Sequence, residues 1–125
     1  MARALLSLEK IHGLLRDRKF SVALDELDRQ ISAHAGSESA SHTLPQLLVL
    51  RGMIRFKLHN PKGALSDYDE AIALDSAFWP AYFHRWQCNL ELGNRSEANA
   101  DREEGRKLAP QQFERDYDPH PAGMI

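Results

Sequence analysis

From Gln46 to Leu58 apolar residues recur three and four positions apart, the spacing that lines one face of a helix. A second run with the same spacing follows through Ala64, Leu65, Tyr68, Ala71, Ile72 and Leu74. His59-Asn60-Pro61 separates them: Asn60 is a good N-cap, and Pro61 suits the first helical position, where its missing N–H costs nothing. Pro45 is placed in the same way ahead of the first run. The plan then recurs, with Pro80 in a first turn, a helix to Leu92, Gly93-Asn94 as the stop, and a helix from Arg95 to Leu108 ahead of Pro110. The pattern predicts six main helices, near 3–17, 20–35, 45–58, 61–75, 78–92 and 95–108, and no strand.

A shift of 34 residues lays one hairpin on the next. Leu48 falls on Tyr82, Arg51 on Arg85, Phe56 on Leu90, Ala64 on Ala98, Asp67 on Asp101, Leu74 on Leu108 and Ser76 on Pro110. A shift of 41, which is 34 plus an insertion of seven, brings Ala23, Leu24 and Leu27 onto Ala64, Leu65 and Tyr68 and so finds an N-terminal copy. A charge pair 16 residues apart recurs in all three: Lys10 with Glu26, Arg51 with Asp67, Arg85 with Asp101. Each base sits on the first helix of its hairpin and each acid on the second. If exposed, such a pair contributes no more than about 1 kcal/mol.

Gly52, Ala64, Tyr68 and Ala71, then Tyr82, Ala98, Gly105 and Pro110, resemble the signature of the tetratricopeptide repeat (TPR) at its 34-residue period over residues 45–112. The small residues let two helices cross closely, while larger ones fill the space between hairpins. The sequence departs from the pattern at Trp86, which stands where the previous copy has Gly52, at Arg55 and Asn89, which replace an aromatic, and at Arg102, which replaces Tyr68. These changes predict looser or rearranged packing in the last repeat.

The resemblance implies an all-α fold, an α-solenoid of helix hairpins forming one domain over 1–125, with repeats near 4–37, 45–78 and 79–112. The Ser- and Gly-rich stretch 36–44 is expected as an exposed loop. In the tail, 113–125, a short helix over 111–117 carrying Phe113 and Tyr117 is placed to cap the solenoid end. The first helices of TPR hairpins line a concave groove that receives a partner's peptide or helix. By position, that groove consists here of Leu8, Val49 and Phe83; His12, Met53 and Gln87; Leu15, Phe56 and Leu90. Its apolar character suits a hydrophobic peptide or amphipathic helix. Some members of the family grip a C-terminal carboxylate with Lys, Asn and Arg. The matching positions here are Leu8, His12, Leu50, Pro80 and His84, so that clamp is absent. The implied function is an adaptor or chaperone-like protein-interaction module. The alternative is a structural subunit or a self-associating homo-oligomer.

Composition agrees with a soluble, cytoplasmic binding module. A net charge of −2 with interleaved signs gives no basic field for nucleic acid, and no stretch approaches the roughly 20 apolar residues of a membrane span. The single cysteine, Cys88, excludes an internal disulfide and is expected as a small buried helix residue. Six scattered histidines show no His-x-x-x-His spacing, and neither a phosphate-binding Gly-rich loop nor a Gly-x-Ser-x-Gly elbow is present. Asp67, Asp69 and Glu70 point in different directions on a helix and read as a solvated face plus one ion pair. Trp79 and Trp86 read as interhelical packing. No catalytic residue, metal or cofactor is expected.

Overall fold

The computed structural model describes residues 2–37 and 40–115. These form seven helices: α1 (Ala2–Arg16), α2 (Phe20–His34), α3 (Ala40–Lys57), α4 (Pro61–Leu74), α5 (Trp79–Leu92), α6 (Arg95–Leu108) and α7 (Pro110–Arg115). Three antiparallel hairpins, α1–α2, α3–α4 and α5–α6, stack in chain order, and α7 packs on α6. None of the described helices is long and apolar enough to cross a membrane.

The first helix of every hairpin ends in the same way. The N–H groups of Lys19, Asn60 and Asn94 reach back to the carbonyls of Leu14, Arg55 and Asn89, each at 2.8 Å. The residue before each, Arg18, His59 and Gly93, takes the left-handed conformation, with φ of 58°, 64° and 80°. This is the Schellman arrangement, which satisfies the orphan carbonyls of a helix end and turns the chain sharply. Only Gly93, which has no Cβ, takes that conformation without strain. At α4 the Asn60 side chain then accepts from the Gly63 N–H at 3.0 Å, with Pro61 in the first helical position.

Ala23, Ala64 and Ala98 are fully buried at equivalent positions of α2, α4 and α6, where the paired helices cross. Between the first hairpin and α3 lie Ile11, Leu27, Leu47 and Ile54. Leu48, Val49, Tyr68 and Cys88 fill the middle of the solenoid, and Tyr82, Trp86 and Phe113 its far end. The departures noted in the sequence are rearranged rather than loose. In the middle hairpin Gly52 accommodates Tyr68, whose Cε1 would lie 2.5 Å from any added Cβ. In the last hairpin the large ring has moved to the first helix: Trp86 fills the gap, Arg102 lies over its ring at 5.8 Å, and Phe113 stacks on it at 5.5 Å.

Two boundaries differ from the expected ones. α3 begins at Ala40, so the stretch anticipated as a 36–44 loop is largely helix, although Glu38 and Ser39 lie outside the described residues. Pro45 therefore sits inside the helix and removes one backbone bond. Burial of Leu44 in the middle core, with Pro45 itself fully buried, offsets that loss. At the other end the short capping helix expected over 111–117 begins at Pro110, and its Phe113 is fully buried in α7, with rings of Trp79, Phe83 and Trp86 around it. Tyr117 lies outside the described residues.

The recurring charge pairs form an ion ladder. Glu26 receives Lys10 at 3.6 Å, Asp67 receives Arg51 at 2.8 Å, and Asp101 receives Arg85 at 2.6 Å. Both arginines also reach the preceding hairpin, Arg51 to Asp28 at 2.9 Å and Arg85 to Asp69 at 2.8 Å. The two residues that replace an aromatic of the signature serve the same aspartates: Arg55 donates to Asp67 at 3.2 Å and Asn89 to Asp101 at 3.1 Å.

Candidate functional site

The first helices α3 and α5 run side by side on one face of the stack and border an open cavity of about 690 Å³. Met53 and Phe56 of α3 form one wall, and His84 and Gln87 of α5 the other. Tyr68, reaching up from α4, closes the floor together with Pro61. Lys57, His59, Glu91 and Leu92, at the ends of α3 and α5, surround the mouth. The Schellman turn after α3 is what swings His59 to that rim.

Inside, the polar groups are kept uncharged. The His84 ring lies between the Tyr68 face, 6.1 Å away and nearly parallel, and the Phe83 edge at 5.4 Å. Burial among these rings pushes the imidazole down to about pH 4, against the opposing influence of a hydrogen bond with Gln87. Burial also raises the Tyr68 phenol well above its ordinary range, and nearby Cys88 and Asp67 add to the shift. At neutral pH the cavity therefore presents a phenol, a neutral imidazole and an amide among apolar walls. The nearby Cys88 thiol is buried, raised to about 11 by that burial, and lies 3.7 Å from the Pro61 carbonyl, so it is held as a thiol and not as a nucleophile. Among the described residues no three His, Cys, Asp or Glu side chains converge as metal ligands.

The stack of helix hairpins is also the fold of known proteins. The chain superposes on the first TPR domain of Spaghetti (RPAP3), solved bound to the HSP90 peptide SRMEEVD. The match has a TM-score of 0.75 at 27% identity and covers 88% of this chain and 82% of that one. The chain is a TPR-like protein. The second TPR domain of RPAP3, bound to the same peptide, matches with a TM-score of 0.71 at 25% identity over 84% of this chain and 91% of that one. The second TPR domain of human RPAP3 in complex with the HSP70 peptide SGPTIEEVD gives 0.72 at 25% identity over 87% and 85%. No protein-family model and no curated protein matches the sequence.

Of the nine groove residues expected from the TPR resemblance, Met53, Phe56 and Gln87 meet in the cavity. Val49, one turn before Met53, is buried in the middle core. Phe83 packs edge-on against Trp79, Trp86 and Phe113, and Leu90 rests on the same cluster. Leu8 and Leu15 pack on the first core, and His12 is exposed on α1. The cavity adds Tyr68 and His84, which positional transfer had placed in the hairpin core and among the carboxylate-clamp positions. The sequence offers little signal for either: Tyr68 stands between Asp67 and Asp69, and His84 between Phe83 and Arg85, so only the packing of α4 against α5 brings the two rings together.

Proposed function

We propose that this TPR-like chain is a protein-interaction module that takes a hydrophobic peptide, or the apolar face of an amphipathic helix, into the cavity between α3 and α5. The observation that carries this is the cavity itself: about 690 Å³, within the range of ligand pockets, with Met53, Phe56 and Leu92 exposed to an incoming side chain. The TPR neighbours provide a second support, since they are solved with peptides bound. Methionine beside an aromatic ring adapts to differently shaped apolar partners, which fits a binding surface better than a reaction centre. A cytoplasmic setting, in which thiols stay reduced, agrees with the single buried cysteine.

Panning a displayed random peptide library against the wild-type protein tests this reading. Enriched peptides should carry large apolar residues and lose at least tenfold in affinity for Met53→Glu, whose carboxylate would stand in the cavity. Enrichment that is indifferent to Met53→Glu moves the binding surface elsewhere, and a library with no enrichment sinks the reading. Self-association is the second reading, favoured by Leu58 and Leu92, which occupy equivalent exposed positions along one edge. Sedimentation that shifts with protein concentration would support it.

A further inference from the structure

The cavity contains a polar group with nothing to bind. Tyr68 is exposed to only 2%, yet it lines the cavity, and its hydroxyl pairs with none of the described residues. No fully buried side-chain polar atom among the described residues lacks a partner, so this hydroxyl keeps its access to solvent through the cavity. A phenol at the floor of an apolar recess is a hydrogen-bond donor awaiting an acceptor, and leaving it unmatched in a filled site would be unfavourable.

Charge is distributed just as specifically. The arginines of α3 and α5 are all committed: Arg51 to Asp67 and Asp28, Arg55 to Asp67, and Arg85 to Asp101 and Asp69. The cavity lining carries one charge of each sign, Lys57 and Glu91, and its interior holds neutral groups. A carboxylate entering the recess would lose its water and meet no uncommitted cation among the interior groups, a loss that an apolar wall does not offset. A main-chain carbonyl beside an apolar side chain has the opposite fit, with the side chain between Met53 and Phe56 and the carbonyl toward the phenol.

We propose that the cavity selects an uncharged stretch of a partner chain, with a large apolar side chain seated between Met53 and Phe56 and the neighbouring main-chain carbonyl accepting from the Tyr68 hydroxyl, and that it rejects acidic tails of the kind seen on its structural neighbours. This rests on the reading of the cavity as a peptide site and specifies its ligand.

The experiment uses three probes with the full chain. The first is an acetylated and amidated heptapeptide of serine and glycine with a central phenylalanine; the second is the same peptide with central glycine; the third is SRMEEVD. Calorimetry or methyl NMR titration gives the affinities. The neutral phenylalanine peptide should bind at least tenfold more tightly than SRMEEVD, and Tyr68→Phe, which keeps the ring against Gly52, should weaken it about fivefold, the effect of one neutral hydrogen bond. Equal or tighter binding of SRMEEVD overturns the selectivity while leaving the peptide module standing. An unchanged affinity in Tyr68→Phe overturns the assigned contact. If the central-glycine peptide binds as well as the phenylalanine one, or none of the three binds, the peptide site itself is lost. The wild-type comparison decides the selectivity even if the variant does not fold.

Discussion

Arg51 holds the carboxylate of Asp67 at 2.8 Å, and Asp67 is almost completely buried, with 1% of its side chain exposed. Burial works against the arginine's charge, but hydrogen bonds to Asp67 and Asp28 outweigh it and raise the guanidinium pKa. The pair is therefore not the exposed contact whose worth the sequence suggested, and removing one side of it has a different consequence.

Asp67 has two guanidinium partners, Arg51 and Arg55. Either single change, Arg51→Ala or Arg55→Ala, leaves the buried carboxylate with a partner and should cost about 1–2 kcal/mol. Removing both strands the charge, and the loss should reach about 3–5 kcal/mol, more than the two singles together. Urea denaturation of the two singles and the double variant measures this. Additive losses would show that the two arginines act independently.

His84 makes stability depend on pH. Its pKa is near 6.5 in the unfolded chain and about 4 in the folded one, so between those values the unfolded state binds more protons. Its neutral-state stability is intact above 6.5 and is lost as pH falls toward 4. Between pH 7 and pH 5 this loss amounts to about 2 kcal/mol. The His84→Phe variant should lack that component, and the difference between the two stability profiles over this interval isolates it. Parallel profiles would mean that the imidazole is not kept neutral by burial.

The left-handed residues at the ends of α1 and α3 are improvable. Arg18 and His59 occupy a conformation that Gly93 fills without strain in the last hairpin. Arg18 is exposed and away from the cavity, so Arg18→Gly should raise stability by about 0.5–1 kcal/mol after the greater flexibility of glycine in the unfolded chain is counted. A lower urea midpoint for Arg18→Gly would contradict this.

Phe113 ties α7 to the last hairpin. Truncation to alanine should cost about 3 kcal/mol and leave the Trp86 ring open to water. A red shift of tryptophan emission in a still-helical protein is the expected signature; unchanged emission would mean that Trp86 is covered by other residues.

Much of this architecture was legible in the sequence, because a repeat writes the same physical constraint several times. Ala64 and Ala98, 34 residues apart, announce the same helix crossing, and the 16-residue charge spacing announces the ladder. Pro45 misled because local chemistry favours a helix start there, whereas burial of Leu44 decides in favour of the extra turn. The Trp86 departure was visible, but its complement was not, since Phe113 comes from the next element and a pairwise shift does not say which ring will fill a space. The cavity was the least legible feature. Its existence depends on the volume left between Met53 and Gln87, which are equivalent positions on neighbouring hairpins, and its chemistry depends on Tyr68, which packs on Gly52 and faces the opening as well.

The central claim is that a partner's apolar side chain enters between α3 and α5. Met53 lines that space, and with three methionines in the chain a sample labelled at the methionine methyl groups gives a simple spectrum. Adding the neutral phenylalanine heptapeptide should shift the Met53 methyl signal in a saturable way, with the upfield displacement an aromatic ring produces, and Phe56→Ala should abolish that saturation. A peptide that binds by calorimetry while the Met53 signal stays in place would contradict the account.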